Sequence, residues 1–143
     1  MSVEQRELKE LNIVVVDAYA PVAEMTAKLL AASGAVGVAY IHHEDAAQYI
    51  FENARRVDLL IVGLGLDNHG LNFARAVKLL FRKHLAQEMP VVLMSGRIDP
   101  DLDQVLDDAK KKFDMDAFLP KPFNLERLLD AVNQARSNII CKN

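Results

Sequence analysis

The run LLIVGLGLDNHG, Leu59 to Gly70, has the form of a buried strand entering a glycine-rich loop that opens a helix. α/β proteins hold phosphates in such settings, because the first turn of a helix presents unpaired N–H groups. A dinucleotide cradle needs G-x-G-x-x-G directly after a strand. Gly63 and Gly65 fill the first two positions, but Asn68 stands at the third. A second candidate, His42-His43-Glu44-Asp45, has metal-ligand residue types. Adjacent histidines at a strand end project to opposite sides and do not close on one ion, so a loop with Asp45 capping a helix is expected instead. Arg55-Arg56 and Arg82-Lys83 have the charge to meet an anionic ligand such as a cyclic dinucleotide, and equally the form of solvated helix ends. Lys110-Lys111-Lys112 reads as a solvated helix end. No Ser/His/Asp or Cys/His set has supporting context, so no catalytic residue, metal or cofactor is expected.

The elements that position these groups are legible from periodicity. Ile13–Val16, Val36–Ile41, Leu59–Val62, Val91–Met94 and Ala117–Leu119 are apolar runs of strand length, the second interrupted by Gly37. Four are nearly continuous rather than alternating, as expected when both faces of a parallel sheet are covered. Between them lie stripes of helical period. These are Val22, Met25 and Leu29 after Pro21; Ala46, Ile50 and Ala54; Phe73, Val77, Leu80 and Phe81; Leu102, Val105, Leu106, Ala109 and Phe113 after Pro100; and Leu125, Leu128, Leu129 and Val132 after Asn124, an expected N-cap. Five β-α repeats with short links predict an α/β fold with a doubly wound parallel sheet and helices on both faces. Its working groups then gather past the carboxyl ends of the strands: Asp17-Ala18, His42-His43, Gly63, Ser95-Gly96 and Lys121-Pro122.

Composition narrows the class. The 143 residues suffice for one domain, half are apolar (51%) and a quarter charged (26%). Seventeen basic against 20 acidic residues, a net charge of −3, argue against a nucleic-acid partner. The single cysteine, Cys141, can form no internal disulfide, and no stretch has the apolar length of a membrane span. A cytoplasmic protein is expected, with residues 1–10 as an N-terminal arm, 11–137 as the domain and 138–143 as a tail.

Three segments in this order resemble the receiver domain of two-component response regulators: LNIVVVDA, MPVVLMSG and FLPKPFNLERLL. The resemblance spans about Leu11 to Ala135 and implies a five-stranded sheet in order 2-1-3-4-5. It also implies site residues. Asp17 matches the first of the paired acids after strand one, Ser95 the hydroxyl residue that meets a phosphoryl group, Lys121 the lysine that pairs with it, and Phe118 the aromatic switch. Two positions depart. Ala18 replaces the second acid, and Gly63 stands where the phosphoacceptor aspartate ends strand three.

Phosphoryl transfer on this fold needs a carboxylate nucleophile and Mg²⁺, and glycine offers no nucleophile. Asp67, four residues on, is too far along the chain to substitute. The resemblance therefore implies a pseudo-receiver, an interaction module that works without phosphorylation; the alternative is a receiver-like sensor of a nucleotide or other anion. Its partner is expected to be a signalling protein, or a second copy, bound at the face of the fourth helix, fifth strand and fifth helix. Phe118, Lys121 and an outer helix side bearing Ala131 and Ala135 would form that face. Lys121, otherwise unpaired, is expected within reach of Asp17 or a strand-end carbonyl.

Overall fold

A computed structural model describes residues 8, 10–65, 69–96 and 101–142. The apolar runs become strands β1 (Asn12–Val16), β2 (Val36–Tyr40), β3 (Leu59–Gly63), β4 (Val91–Ser95) and β5 (Ala117–Pro120). Among the described residues the helices between and after them are α1 (Ala20–Ala32), α2 (His43–Glu52), α3 (His69–Leu85), α4 (Leu102–Lys112) and α5 (Leu125–Lys142), with a 3₁₀ turn at Ala54–Arg56. All strand pairs are parallel, in the order β2-β1-β3-β4-β5 that the resemblance implies.

Alternate residues of each central strand enter separate cores, which is why the runs are continuously apolar. Ile13, Val15, Leu59, Ile61, Val92 and Met94 pack beneath α1 and α5. Val14, Val16, Leu60, Val62, Val91 and Leu93 pack beneath α2, α3 and α4. Gly37 has a packing reason. A Cβ there would lie 2.9 Å from the Ala27 backbone, so the bare glycine lets α1 settle on the edge strand β2.

The stripes of α1 and α3 sit differently from their expected faces. In α1 the buried residues are Ala23, Thr26 and Leu30, one position later than the expected set, and Met25 is exposed. Small side chains at Ala23 and Thr26 let the helix lie close to the sheet, and the Thr26 hydroxyl is satisfied by Val22 O at 2.7 Å. In α2, Asp45 lies in the first turn, and the N-cap residue is His42, with no side-chain capping bond. Asn124 caps α5 as expected, its Oδ1 accepting from Arg127 N at 2.9 Å. α4 starts at Leu102 with Asp101 as its N-cap residue, and Pro100 lies outside the described residues.

In α3 the core stripe is Leu71, Ala74, Val77, Lys78 and Phe81, with Leu80 outside. Lys78 is fully enclosed. Its Nζ donates to Met89 O at 2.7 Å and pairs with Asp116 Oδ2 at 2.7 Å. Asp116 also accepts from Val91 N at 2.9 Å and from Asn138 Nδ2 at 2.6 Å. The network joins α3, the entries to β4 and β5, and the end of α5. The intended tail is thus part of the fold: α5 continues to Lys142, and Ile139 is buried. At the other end of the domain Leu8 is wholly enclosed, within the expected arm.

Candidate functional site

The carboxyl ends of β1, β3, β4 and β5 bring Asp17, Gly63, Ser95 and Lys121 to one edge of the sheet. Strand order places β1 and β5 three spacings apart, roughly 14 Å between axes. Lys121 nevertheless crosses the ends of β4 and β3 to reach Asp17, with Nζ 2.5 Å from Oδ2. The expected pairing is present. Asp17 is 5% exposed, and its other oxygen accepts from Tyr19 N at 2.9 Å. Both carboxylate oxygens are therefore occupied, one by an ammonium and one by the turn that leads into α1.

Gly63 makes this crossing feasible. A Cβ built at Gly63 would lie 2.5 Å from Asp17 Oδ2 and 2.8 Å from its Cγ. The Asp17 carboxylate lies over the space that a side chain at the end of β3 would take. A neighbouring side chain thus fills this gap. Gly70 completes the arrangement, since a Cβ there would overlap the Gly63 carbonyl oxygen at 2.2 Å. Only glycine lets the first turn of α3 sit so near the end of β3. Asp67 and Asn68 lie outside the described residues.

These residues do not fit the Mg²⁺ that phosphoryl transfer on this fold requires. Mg²⁺ favours several hard oxygen ligands in octahedral array. Here Ala18 and Gly63 contribute no side-chain oxygen, and Asp17 is engaged by Lys121. Among the described residues no three His, Cys, Asp or Glu side chains converge on a metal-sized space. That includes His42 to Asp45, where His43 stacks on Phe73, ring centroids 4.9 Å apart and planes at 6°.

Ser95 is buried at the end of β4, and its carbonyl accepts from Lys121 N at 2.8 Å, which fixes the start of the lysine's path. Phe118 is half-buried, on the sheet face covered by α4, beside the half-buried Val105, Leu106 and Phe113. Ala131 and Ala135 correct an expectation. They are 4% and 0% exposed and face the sheet, not solvent. They fall on the same stripe as Leu128, Val132 and Ile139, and an α-helix has only one such side toward the core. The outer side of α5 shows Glu126, Arg127, Asp130 and Gln134 instead.

The arginine candidates also resolve. The Arg82 guanidinium donates to Glu88 at 2.6 and 2.9 Å and pairs with Asp114. Hydrogen bonding to Glu88 holds it in its charged form, against the opposing effect of burial. Arg82 is thus committed within the fold, while Arg55 and Arg56 are exposed on the 3₁₀ turn. Lys111 and Lys112 pair with Asp107 and Asp108 one helical turn back. The Lys78–Asp116 network escaped the sequence reading. Its one visible signal was a lysine in register with Leu71, Ala74 and Phe81.

No family model matches this sequence, and no curated protein does. Solved structures do match in shape. A response regulator receiver domain protein from Clostridium thermocellum superposes with a TM-score of 0.74 at 20% identity, covering 93% of this chain and 99% of that one. A two-component response regulator from Clostridium difficile gives 0.72 at 22% identity, covering 90% and 97%. The chemotaxis protein CheY4 of Vibrio cholerae gives 0.71 at 20%, covering 88% and 98%. The chain has the receiver-domain fold. No helix among the described residues is long and apolar enough to cross a membrane.

Proposed function

We propose that this receiver-fold chain is a cytoplasmic module of two-component-type signalling that acts by docking to a protein partner, without aspartyl phosphorylation and without an enzymatic step of its own. The observation that carries the reading is the Asp17–Lys121 pair lying over Gly63. A phosphoacceptor position without a carboxylate supplies no nucleophile. The two charged groups that would otherwise serve a metal and a phosphoryl group neutralise each other. The pair holds the strand ends in one arrangement that needs no incoming phosphate. Signalling proteins among the structures of similar shape support the pathway assignment.

The docking surface is the α4-β5-α5 side, revised by the burial of the two alanines. It comprises half-buried Leu102, Val105 and Leu106 of α4 with Phe118 of β5 and the polar outer side of α5. Incubation with acetyl phosphate and Mg²⁺, followed by intact-mass measurement, tests the reading. No hydroxylamine-labile phosphoryl adduct is expected. An adduct mapped to Asp17 or Asp67 would overturn it.

A further inference from the structure

We infer that the depression between the end of β2 and α2 is a binding site for a small alkylated ammonium ion. It holds about 290 Å³ and is lined by Tyr40, Asp45, Gln48, Tyr49 and Glu52. That volume lies just below the usual range for drug-sized ligands. The place is at the β2 edge of the sheet, away from the α4-β5-α5 surface, and is independent of docking there.

Spacing assembles the lining. Asp45, Gln48, Tyr49 and Glu52 follow one another at three, one and three residues, which sets them on one face of α2. Tyr40 ends the edge strand, and its ring meets that of Tyr49 with centroids 5.7 Å apart and planes tilted by 43°. The carboxylates alone would make only a charged surface. Two half-buried aromatic rings beside them select the ligand, because an aromatic face attracts a cation together with its apolar sheath. A bare metal ion needs converging hard ligands instead, and no such group occurs among the described residues.

The charges point the same way. α2 has no lysine or arginine, and its last turn ends on Glu52 with no basic residue. The carboxyl end of a helix already carries partial negative charge, so an acid there is unfavourable within the fold, and a bound cation offsets it. Glu52 accepts from the neutral amide of Gln48, Nε2 to Oε1 at 3.2 Å. Among the described residues no lysine or arginine pairs with Glu52 or Asp45. Burial, then Tyr49, Asp45 and Glu52, hold the Tyr40 phenol above its ordinary value. The acidic field that opposes a phenolate here favours a cation.

Choline chloride, titrated into the whole chain and followed by amide chemical shifts, tests the site. Saturable shifts of Tyr40 and of residues 45–52 are expected at roughly millimolar concentration. The neutral isostere of choline, with tert-butyl in place of trimethylammonium, should leave these amides unshifted, as should sodium chloride at equal concentration. Tyr49→Leu keeps apolar bulk but removes the π face, and should weaken binding about fivefold. Asp45→Asn and Glu52→Gln should each weaken it about twofold, and less at high salt. Both acids are exposed, so folding should survive these two changes, and circular dichroism checks all three variants. Absence of a saturable shift with choline overturns the inference. So does a shift matched by the neutral isostere or by sodium chloride, and so does binding unchanged in both Asp45→Asn and Glu52→Gln. A trimethyllysine peptide that binds more than about tenfold tighter than choline would overturn the free ion as occupant and assign the site to a partner's side chain.

Discussion

At the scale of single residues, Gly63 and Asp17 occupy what is in effect one position. Any side chain at 63 must displace a carboxylate that is bonded on both oxygens. Gly63→Ala is expected to lower stability by ~1–3 kcal/mol through overpacking, measured as a shift in urea midpoint. Asp17→Ala in the same chain should remove the conflict, so the two changes should couple by about 1 kcal/mol or more in a double-mutant cycle. Additive effects would mean that the carboxylate does not occupy that space. Nearby, the Tyr40 phenol is held above its ordinary value of 10.0, chiefly by burial, then by Tyr49, Asp45 and Glu52. A phenol that keeps its proton more tightly when folded stabilises the protein below pH 10.0, and that contribution is lost as the pH rises through the higher folded value. Alkaline absorbance titration should accordingly show one phenol fewer ionising late in Tyr40→Phe.

Elements decide which surface is available. α5 has a core side of leucine, valine and alanine and an outer side of charge and amide, so its small residues serve close approach to the sheet. Ala131→Arg would force a cation into that packing and should destabilise by about 3 kcal/mol or more, visible as a lowered melting temperature. It therefore reports on folding, not on partner binding. Phe118→Ala is the informative change. The ring is half-buried beside α4, and its removal should leave the chain folded while weakening a partner docked there by ~1–2 kcal/mol, read by calorimetric titration with a partner recovered by affinity purification. Unchanged affinity would move the docking surface off β5.

On the scale of the whole molecule, the network of Lys78, Asp116 and Asn138 ties three distant segments together at the end of the sheet opposite Asp17. A buried ion pair is costly to break from one side, because the remaining charge has no water to turn to. The domain consequently extends past residue 137. Ending the chain after Ser137 removes the Asn138 bond to Asp116 and the burial of Ile139. A loss of ~2–4 kcal/mol is expected from these two terms, measured by denaturant unfolding. Equal stability of the shortened chain would restore 137 as the edge of the domain.

The strands and their parallel pairing were legible in the sequence, because continuous apolar runs alternate with helical stripes, while their order was legible only through the resemblance to receiver domains. The absence of a nucleophile was legible too, since glycine at position 63 has no side chain whatever surrounds it. The pairing of Lys121 with Asp17 could be anticipated from an ammonium in need of a partner. Which side of a helix faces inward was less secure. In α1 small residues compete with large ones for the core and the stripe turns by one residue, while in α5 the expected Leu128, Leu129 and Val132 are buried and the alanines beside them join the same face. Hence Met25 emerged into solvent while Ala131 and Ala135 went inside. The sequence placed Lys78 on the stripe of Leu71, Ala74 and Phe81 but did not show what would hold its charge, because its anionic partner lies 38 positions away and only the folded sheet brings Asp116 to it. Long-range complementarity of this kind is a property of three-dimensional proximity. It also decides that the carboxylate of Asp17 fills the place over Gly63.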